Sequence, residues 1–152
     1  MIKNMRRTVF FIGALFLMSA EVRAESGLIK TIATKAEFLT ALASGNNQVF
    51  VFTATWCPAC MGMKPLIERM ARLFAGKIKF FTLDYDNHLL SELFDTYVVN
   101  GIPTFMFSDE CSQTFLLHEG TFEDKKFEQA LNRLVQQSCQ KNAPQKSSNK
   151  QN

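Results

Sequence analysis

Apolar positions fall along this chain in two rhythms, unbroken or alternating runs of β formers and stretches spaced by three and four, separated by glycine, asparagine and other polar residues. Leu28 to Ile32 reads as a short first strand. Thr34 and Glu37 have the spacing of a capping box, and the helix they open carries Phe38, Leu39 and Leu42 on one face. Gly45 and the pair Asn46-Asn47 stop that helix. Val49 to Phe52 follows as a continuous apolar run, the pattern of a strand covered on both faces. Met63, Leu66, Ile67, Met70, Ala71 and Phe74 then recur at helical spacing until Gly76 ends the segment. Lys77 to Leu83 reads as another strand, and Leu90, Leu93, Phe94 and Tyr97 mark a third helix. Thr104 to Phe107 and Thr114 to Leu117 are two more strands, joined by the polar segment Ser108 to Gln113, which has hairpin length. Thr121 is placed to cap a last helix with Phe127, Ala130, Leu131, Leu134 and Val135 on one face and Lys, Glu, Gln and Arg on the other. The order β-α-β-α-β-α-β-β-α predicts an α/β fold: a central mixed sheet flanked by helices, with parallel crossovers and a closing hairpin.

The two ends read differently. Lys3, Arg6 and Arg7 precede the apolar run Val9 to Ala20, and Val22-Arg23-Ala24 follows it, the layout of a secretory signal peptide. Cleavage is expected after Ala24, with Ala20 the other option. The apolar run is short of the about 20 residues that a membrane-spanning helix needs, which weighs against a retained anchor. Residues 1–24 are thus expected to be a signal peptide, 25–139 the folded domain, and 140–152, mostly Lys, Ser, Gln and Asn, a disordered polar tail. The leader's Lys3, Arg6, Arg7 and Arg23, opposed by Glu21 alone, account for the whole formal net charge of +3. The rest of the chain is balanced and lacks the surplus of Lys and Arg that a nucleic-acid binder presents, so that class is set aside. The expected mature protein is a soluble monomer outside the cytosol, with the periplasm as its compartment and secretion as the other option, where disulfides persist.

A mature chain of about 128 residues buries enough surface to fold without a staple or a metal, so its cysteines need another explanation. Cys57 and Cys60 form a CxxC pair; Cys111 and Cys139 are isolated. Cys57 would stand at the N-terminus of the second helix, where unpaired N–H groups and the helix dipole favour thiolate over thiol. Pro58 suits the first helical turn, and Ala59 adds neither charge nor bulk. Cys60, one turn on and expected to be the less exposed of the two, can swing its sulfur to Cys57. Cys57 is then the attacking thiol and Cys60 the resolving one, with no cofactor beyond their own disulfide. Two other readings stand beside a redox dithiol. Zinc would need two further ligands, yet Cys111 and Cys139 have no CxxC partners and His88 and His118 form no HxxxH pair. A static disulfide would be an odd staple behind a tryptophan at a helix start.

In Trp56-Cys57-Pro58-Ala59-Cys60, in Pro65, in Gly101-Ile102-Pro103-Thr104 and in Gly120, the chain resembles the thioredoxin family over about Ile29 to Gln137. These match that family's WCxxC site, the proline that kinks its active-site helix, its GIPT segment and the glycine before its last helix. The resemblance implies the thioredoxin fold, a cis Pro103 facing the cysteines, and a substrate groove beside Cys57 walled by Trp56, Pro58, Ile102, Pro103 and the region of Gly120. It also implies that Cys111 and Cys139 meet at the pole away from the active site, in a structural disulfide, the other reading being two free thiols. Two departures matter. Val51 stands where cytosolic thioredoxins carry a buried aspartate, and Thr82 stands near the place of their lysine, which leaves water or a substrate group to accept the Cys60 proton. Trp56 and Pro65 argue against the glutaredoxin branch.

The function expected is an exported protein thiol–disulfide oxidoreductase. Ala59, where the strong oxidases of the fold have the His of a CPHC motif, and Ile102 before Pro103 favour a reductase or isomerase over an oxidase. Such a reductase acts on protein disulfides or thiols and implies a membrane thiol transporter as electron donor. The WCPxC motif, shared with cytochrome c maturation proteins, adds apocysteines of haem proteins to the substrates. The alternatives are an oxidase of the same fold and a non-catalytic peptide-binding or chaperone module. Met61 and Met63 suit either a soft binding surface or helix packing, and His88 and His118 read as surface or strand residues.

Overall fold

The computed structural model describes residues 27–136. Five strands, β1 (Ile29–Ile32), β2 (Gln48–Thr53), β3 (Lys79–Asp84), β4 (Thr104–Ser108) and β5 (Thr114–Glu119), form one sheet in the order β1-β3-β2-β4-β5. β1 and β2 run parallel to β3, while β4 runs antiparallel to β2 and β5 to β4. The helices are α1 (Lys35–Leu42), α2 (Pro58–Leu73), α3 (Ser91–Thr96), entered through a 3-10 turn at His88–Leu90, and α4 (Asp124–Gln136). This is the thioredoxin fold, in the expected element order.

The continuous apolar run in β2 has the physical reason anticipated for it: both faces are covered. Val49 and Val51 join Met63, Ile67, Met70, Phe80, Phe105, Phe107 and the apolar face of α4 in one core. Phe50 and Phe52 point the other way, into Ile32, Phe38, Phe81, Leu83, Leu93 and Phe94. Alternation at a period of two sends adjacent residues of one strand into two cores. Aromatic contacts knit each: Phe50 stacks on Phe81 at 5.0 Å, and Phe105 meets Phe122 and Phe127 edge-on at 5.1 and 5.3 Å.

Local signals held with three adjustments. Of the α1 face expected at Phe38, Leu39 and Leu42 only Phe38 is buried, and Leu39 is 48% exposed. The Thr34 hydroxyl caps α1 by accepting from the Glu37 N–H at 3.2 Å, while the Glu37 carboxylate reaches back to the Ala33 N–H at 2.8 Å, one residue before the usual box partner. Thr121 does not cap the last helix, which begins at Asp124. Residues 121–123 instead bring Phe122 inward, where its ring stacks on His118 and Phe127 at 3.8 and 4.9 Å, and burying that ring outweighs an earlier helical start. The leader 1–24, the tail 140–152 and Cys139 lie outside the described residues, and among those described no helix is long and apolar enough to cross a membrane.

Phe105 is fully buried against the rings of Phe122, in the segment before α4, and Phe127 of α4. Phe105→Ala is expected to cost about 3–5 kcal/mol in urea unfolding; a loss below about 1 kcal/mol would show that this core does not hold α4 to the sheet.

Candidate active site

β2 ends at Thr53 and the chain reaches α2 within five residues, so the Cys57 pair is mounted on a central strand whose residues Gln48 to Phe52 are all buried. Cys57 is the N-cap of α2, with extended backbone, and its sulfur accepts the Cys60 N–H at 3.1 Å. Helix starts leave backbone N–H groups without helical partners, and here the sulfur itself satisfies one of them. Pro58 occupies the first turn, where its missing N–H costs nothing. Cys57 and Cys60 are disulfide-bonded, their Cα atoms 5.2 Å apart.

The two cysteines do not differ in exposure as expected. Each residue is 5% exposed, and both pack with Ala54 against Ile102. The reason is the cover supplied from β4's approach: the Ile102–Pro103 peptide is cis, and the Ile102 carbonyl oxygen lies 3.7 Å from the Cys57 sulfur. Pro103 is itself buried, and its carbonyl accepts the Gly120 N–H at 2.7 Å. Gly120 sits at φ +94°, a region that side-chain-bearing residues rarely adopt. The predicted groove residues are therefore one connected set: Cys57 touches Ile102, which adjoins Pro103, which is bonded to Gly120. Trp56 and Pro58 stand exposed on the other side, Trp56 at 59%.

Trp56 is fixed by a residue that the sequence pattern did not single out. Its indole N–H donates to the Asp86 carboxylate at 2.7 Å, and its ring meets Tyr85 edge-on. Asp86 follows β3, whose C-terminal end lies beside the end of β2 in register, Thr53 opposite Asp84. The signal that could have found it was the alternating pair Asp84 and Asp86 at a parallel strand's C-terminal end, where open α/β sheets place their ligands.

The remaining candidates separate. Met63 is in the core, whereas Met61 is 56% exposed on the turn after the pair. His118 stacks on Phe122 and His88 is exposed in the 3-10 turn. Among the described residues no three His, Cys, Asp or Glu side chains converge as a metal would need. Cys111 lies in the β4–β5 loop, past the end of β4 that is about 17 Å from the cis proline at 3.4 Å per residue. There the Asp109 carboxylate accepts from the N–H groups of Cys111 and Gln113, each at 2.9 Å.

The sequence profile described as Thioredoxin matches residues 29–135. The chain is 29% identical over 96 residues to the thiol:disulfide interchange protein TxlA homolog of Synechocystis, covering 63% of this chain and 53% of that one. It is 30% identical over 101 residues to the chloroplastic thioredoxin-like protein HCF164 of Oryza sativa, covering 65% of this chain and 38% of that one. It thus spans about half or less of the length of these relatives. The crystal structure of thioredoxin from Trypanosoma brucei brucei superposes with a TM-score of 0.66 at 23% identity, covering 76% of this chain and 97% of that one. With the profile spanning the whole described sheet and its CxxC pair disulfide-bonded at the head of α2, the chain belongs to the thioredoxin family.

Proposed function

We propose that this protein is an exported reductase or isomerase of protein disulfides, with Cys57 as the attacking thiol and Cys60 as the resolving one. The observation that carries this reading is the 3.1 Å contact from the Cys60 N–H to the Cys57 sulfur at a helix N-terminus. A donor aimed at that sulfur, together with the helix dipole, favours the thiolate, which is the nucleophile in thiol–disulfide exchange. The Cys57 thiolate attacks one sulfur of a substrate disulfide and expels the other as thiolate; the Cys60 thiolate then attacks Cys57, closing the 57–60 disulfide and releasing the reduced substrate. Two electrons pass from the dithiol to the substrate.

The groove favours a peptide as substrate. Ile102 and Gly120 are half-buried rather than closed over, Trp56 and Pro58 are open to solvent, and the Ile102 backbone lies beside the reactive sulfur. Ala59 places no charge in the loop, so the thiolate gains less stabilisation than a cationic neighbour would give it, which supports a reducing poise. Export rests on the pattern of residues 1–24, and a reductase there draws its electrons from a membrane thiol donor.

Reduction of insulin disulfides by the dithiothreitol-recharged protein is expected to fall to background in Cys57→Ser, while Cys60→Ser accumulates a mixed disulfide on Cys57 visible by mass. Equal activity of Cys57→Ser and the parent would remove the oxidoreductase reading in favour of a binding module. Iodoacetamide alkylation of Cys57 should be half-maximal below the free-thiol value of about 8.5, and a profile centred there would contradict the helix-terminus argument. Intact mass of protein recovered from the cell envelope is expected to begin at Glu25 and, without reductant, to show no alkylation at Cys111 or Cys139. Their separation by Cys111→Ser should cost on the order of 3–4 kcal/mol; alkylation of both in the unreduced parent would rule out their bridge.

A further inference from the structure

Cys60 also faces away from the substrate groove, into a cleft of about 630 Å³ between α2 and the β1 edge of the sheet. The periodicities of the two elements build it. Cys60, Lys64, Ile67 and Glu68 share one face of α2. Beneath them the sheet presents Thr31, Thr82 and Val51 in one row and Asp84 with Thr53 in the next, nearer the CxxC end. The floor is polar on the β1 and β3 side, where the Thr31 and Thr82 hydroxyls meet at 3.3 Å, and apolar at Val51. Ile29, Val51, Ala54, Met61 and Ile67 make most of the lining apolar, but the cleft is large enough for water, which the threonine hydroxyls and the charged groups in its wall can hold.

We propose that the Asp84 carboxylate, through water in this cleft, accepts the proton of the Cys60 thiol during resolution. The inference rests on the oxidoreductase reading above and assigns the one step that reading leaves without a base. The charged groups facing the cleft are Lys64 and Glu68 from α2 and Asp84 from β3; β1 and β2 contribute only threonines and apolar residues. Asp86, just beyond, is committed to Trp56. Glu68 lies two turns below Cys60, about 12 Å along the helix axis, and Lys64 is a cation. Asp84 lies in the row level with the end of β2, half-buried, and makes no ion pair among the described residues. One of its oxygens accepts the Asp86 N–H at 3.1 Å, which fixes the carboxylate. Charge and atoms balance: the thiol proton passes by water to Asp84, the Cys60 thiolate attacks the Cys57 sulfur, the Cys57–substrate bond breaks as the 57–60 bond forms, and the departing thiolate takes up a proton.

The reaction of the reduced full-length protein with 5,5′-dithiobis(2-nitrobenzoate) separates the steps. Cys57 attack releases the first thionitrobenzoate and Cys60 resolution the second, each followed by stopped flow from pH 5.5 to 9. Asp84→Asn keeps the oxygen that accepts the Asp86 N–H. It is expected to leave the first phase unchanged and to slow the second at least about 10-fold at pH 6.5, less than the about 100-fold or more of a directly positioned acid–base group because water carries the proton. The gap should close towards pH 9, where hydroxide deprotonates the thiol, and Asp84→Glu should restore most of the rate. If Asp84→Asn fails to fold, Asp84→Ser, which retains an oxygen acceptor, is read the same way. A second phase equal to the parent's at pH 6.5, a slowing of both phases alike, or a gap that persists at pH 9 would each overturn the assignment while leaving the oxidoreductase reading in place. A parent that releases no second thionitrobenzoate would overturn that reading, and the assignment with it.

Discussion

The N–H of Cys60 donating to the sulfur of Cys57 is the interaction on which the site depends. It makes one cysteine the N-cap of α2 and sets the other a single turn away, so helix start and reactive pair are the same structural object. A sulfur is a weaker acceptor than a serine or aspartate oxygen at such a position. What compensates is the mount: Pro58 fixes the first turn, and Ala54 and Ile102 pack the pair from below and from the side.

That mount stays put because β2 carries two cores. Val51 and Phe52 are successive residues with side chains in opposite layers, and Gln48, buried at the strand's other end, donates its amide to the Ala41 carbonyl at 2.6 Å, tying β2 to the end of α1. With aromatic rings on both sides, a shift of β2 along its axis would displace Phe50 and Phe52 from one layer and Val49 and Val51 from the other. Close-packed interiors resist such shifts, and the segment from Thr53 to Cys57 inherits that rigidity.

Around the fixed pair the fold gathers two unlike environments. Towards β4 the cysteines pack against Ile102, whose carbonyl oxygen lies 3.7 Å from the Cys57 sulfur, and the buried Pro103 that follows it is tied to Gly120. Towards β1 Cys60 opens on threonine hydroxyls, two carboxylates and a lysine. A buried carboxylate at position 51 would carry a desolvation cost; with valine there, the acidic groups stand instead at the cleft, where water reaches them. Trp56 ties the two sides together through Asp86, whose N–H is held in turn by Asp84.

Most of the fold was legible in the sequence, because its signals are local. The run Val49 to Phe52 implied a strand covered on both faces, the spacing from Met63 to Phe74 an amphipathic helix, and the placement of Cys57 before Pro58 a helix N-terminus. Local patterns went astray where a distant partner decided the outcome: Thr121 yields its capping role because Phe122 is drawn onto His118 and Phe127, and Cys57 is as buried as Cys60 because a loop 45 residues away covers it. Spacing along one chain does not set the register between strands that are distant in sequence. The parallel register of β2 with β3 therefore had to form before Asp84 stood level with Thr53 and Asp86 came within reach of Trp56. The sequence determined the reactive pair and the helix that holds it, since those depend on residues within one turn; the tertiary structure decided what the pair faces, since that depends on strand pairing across the sheet.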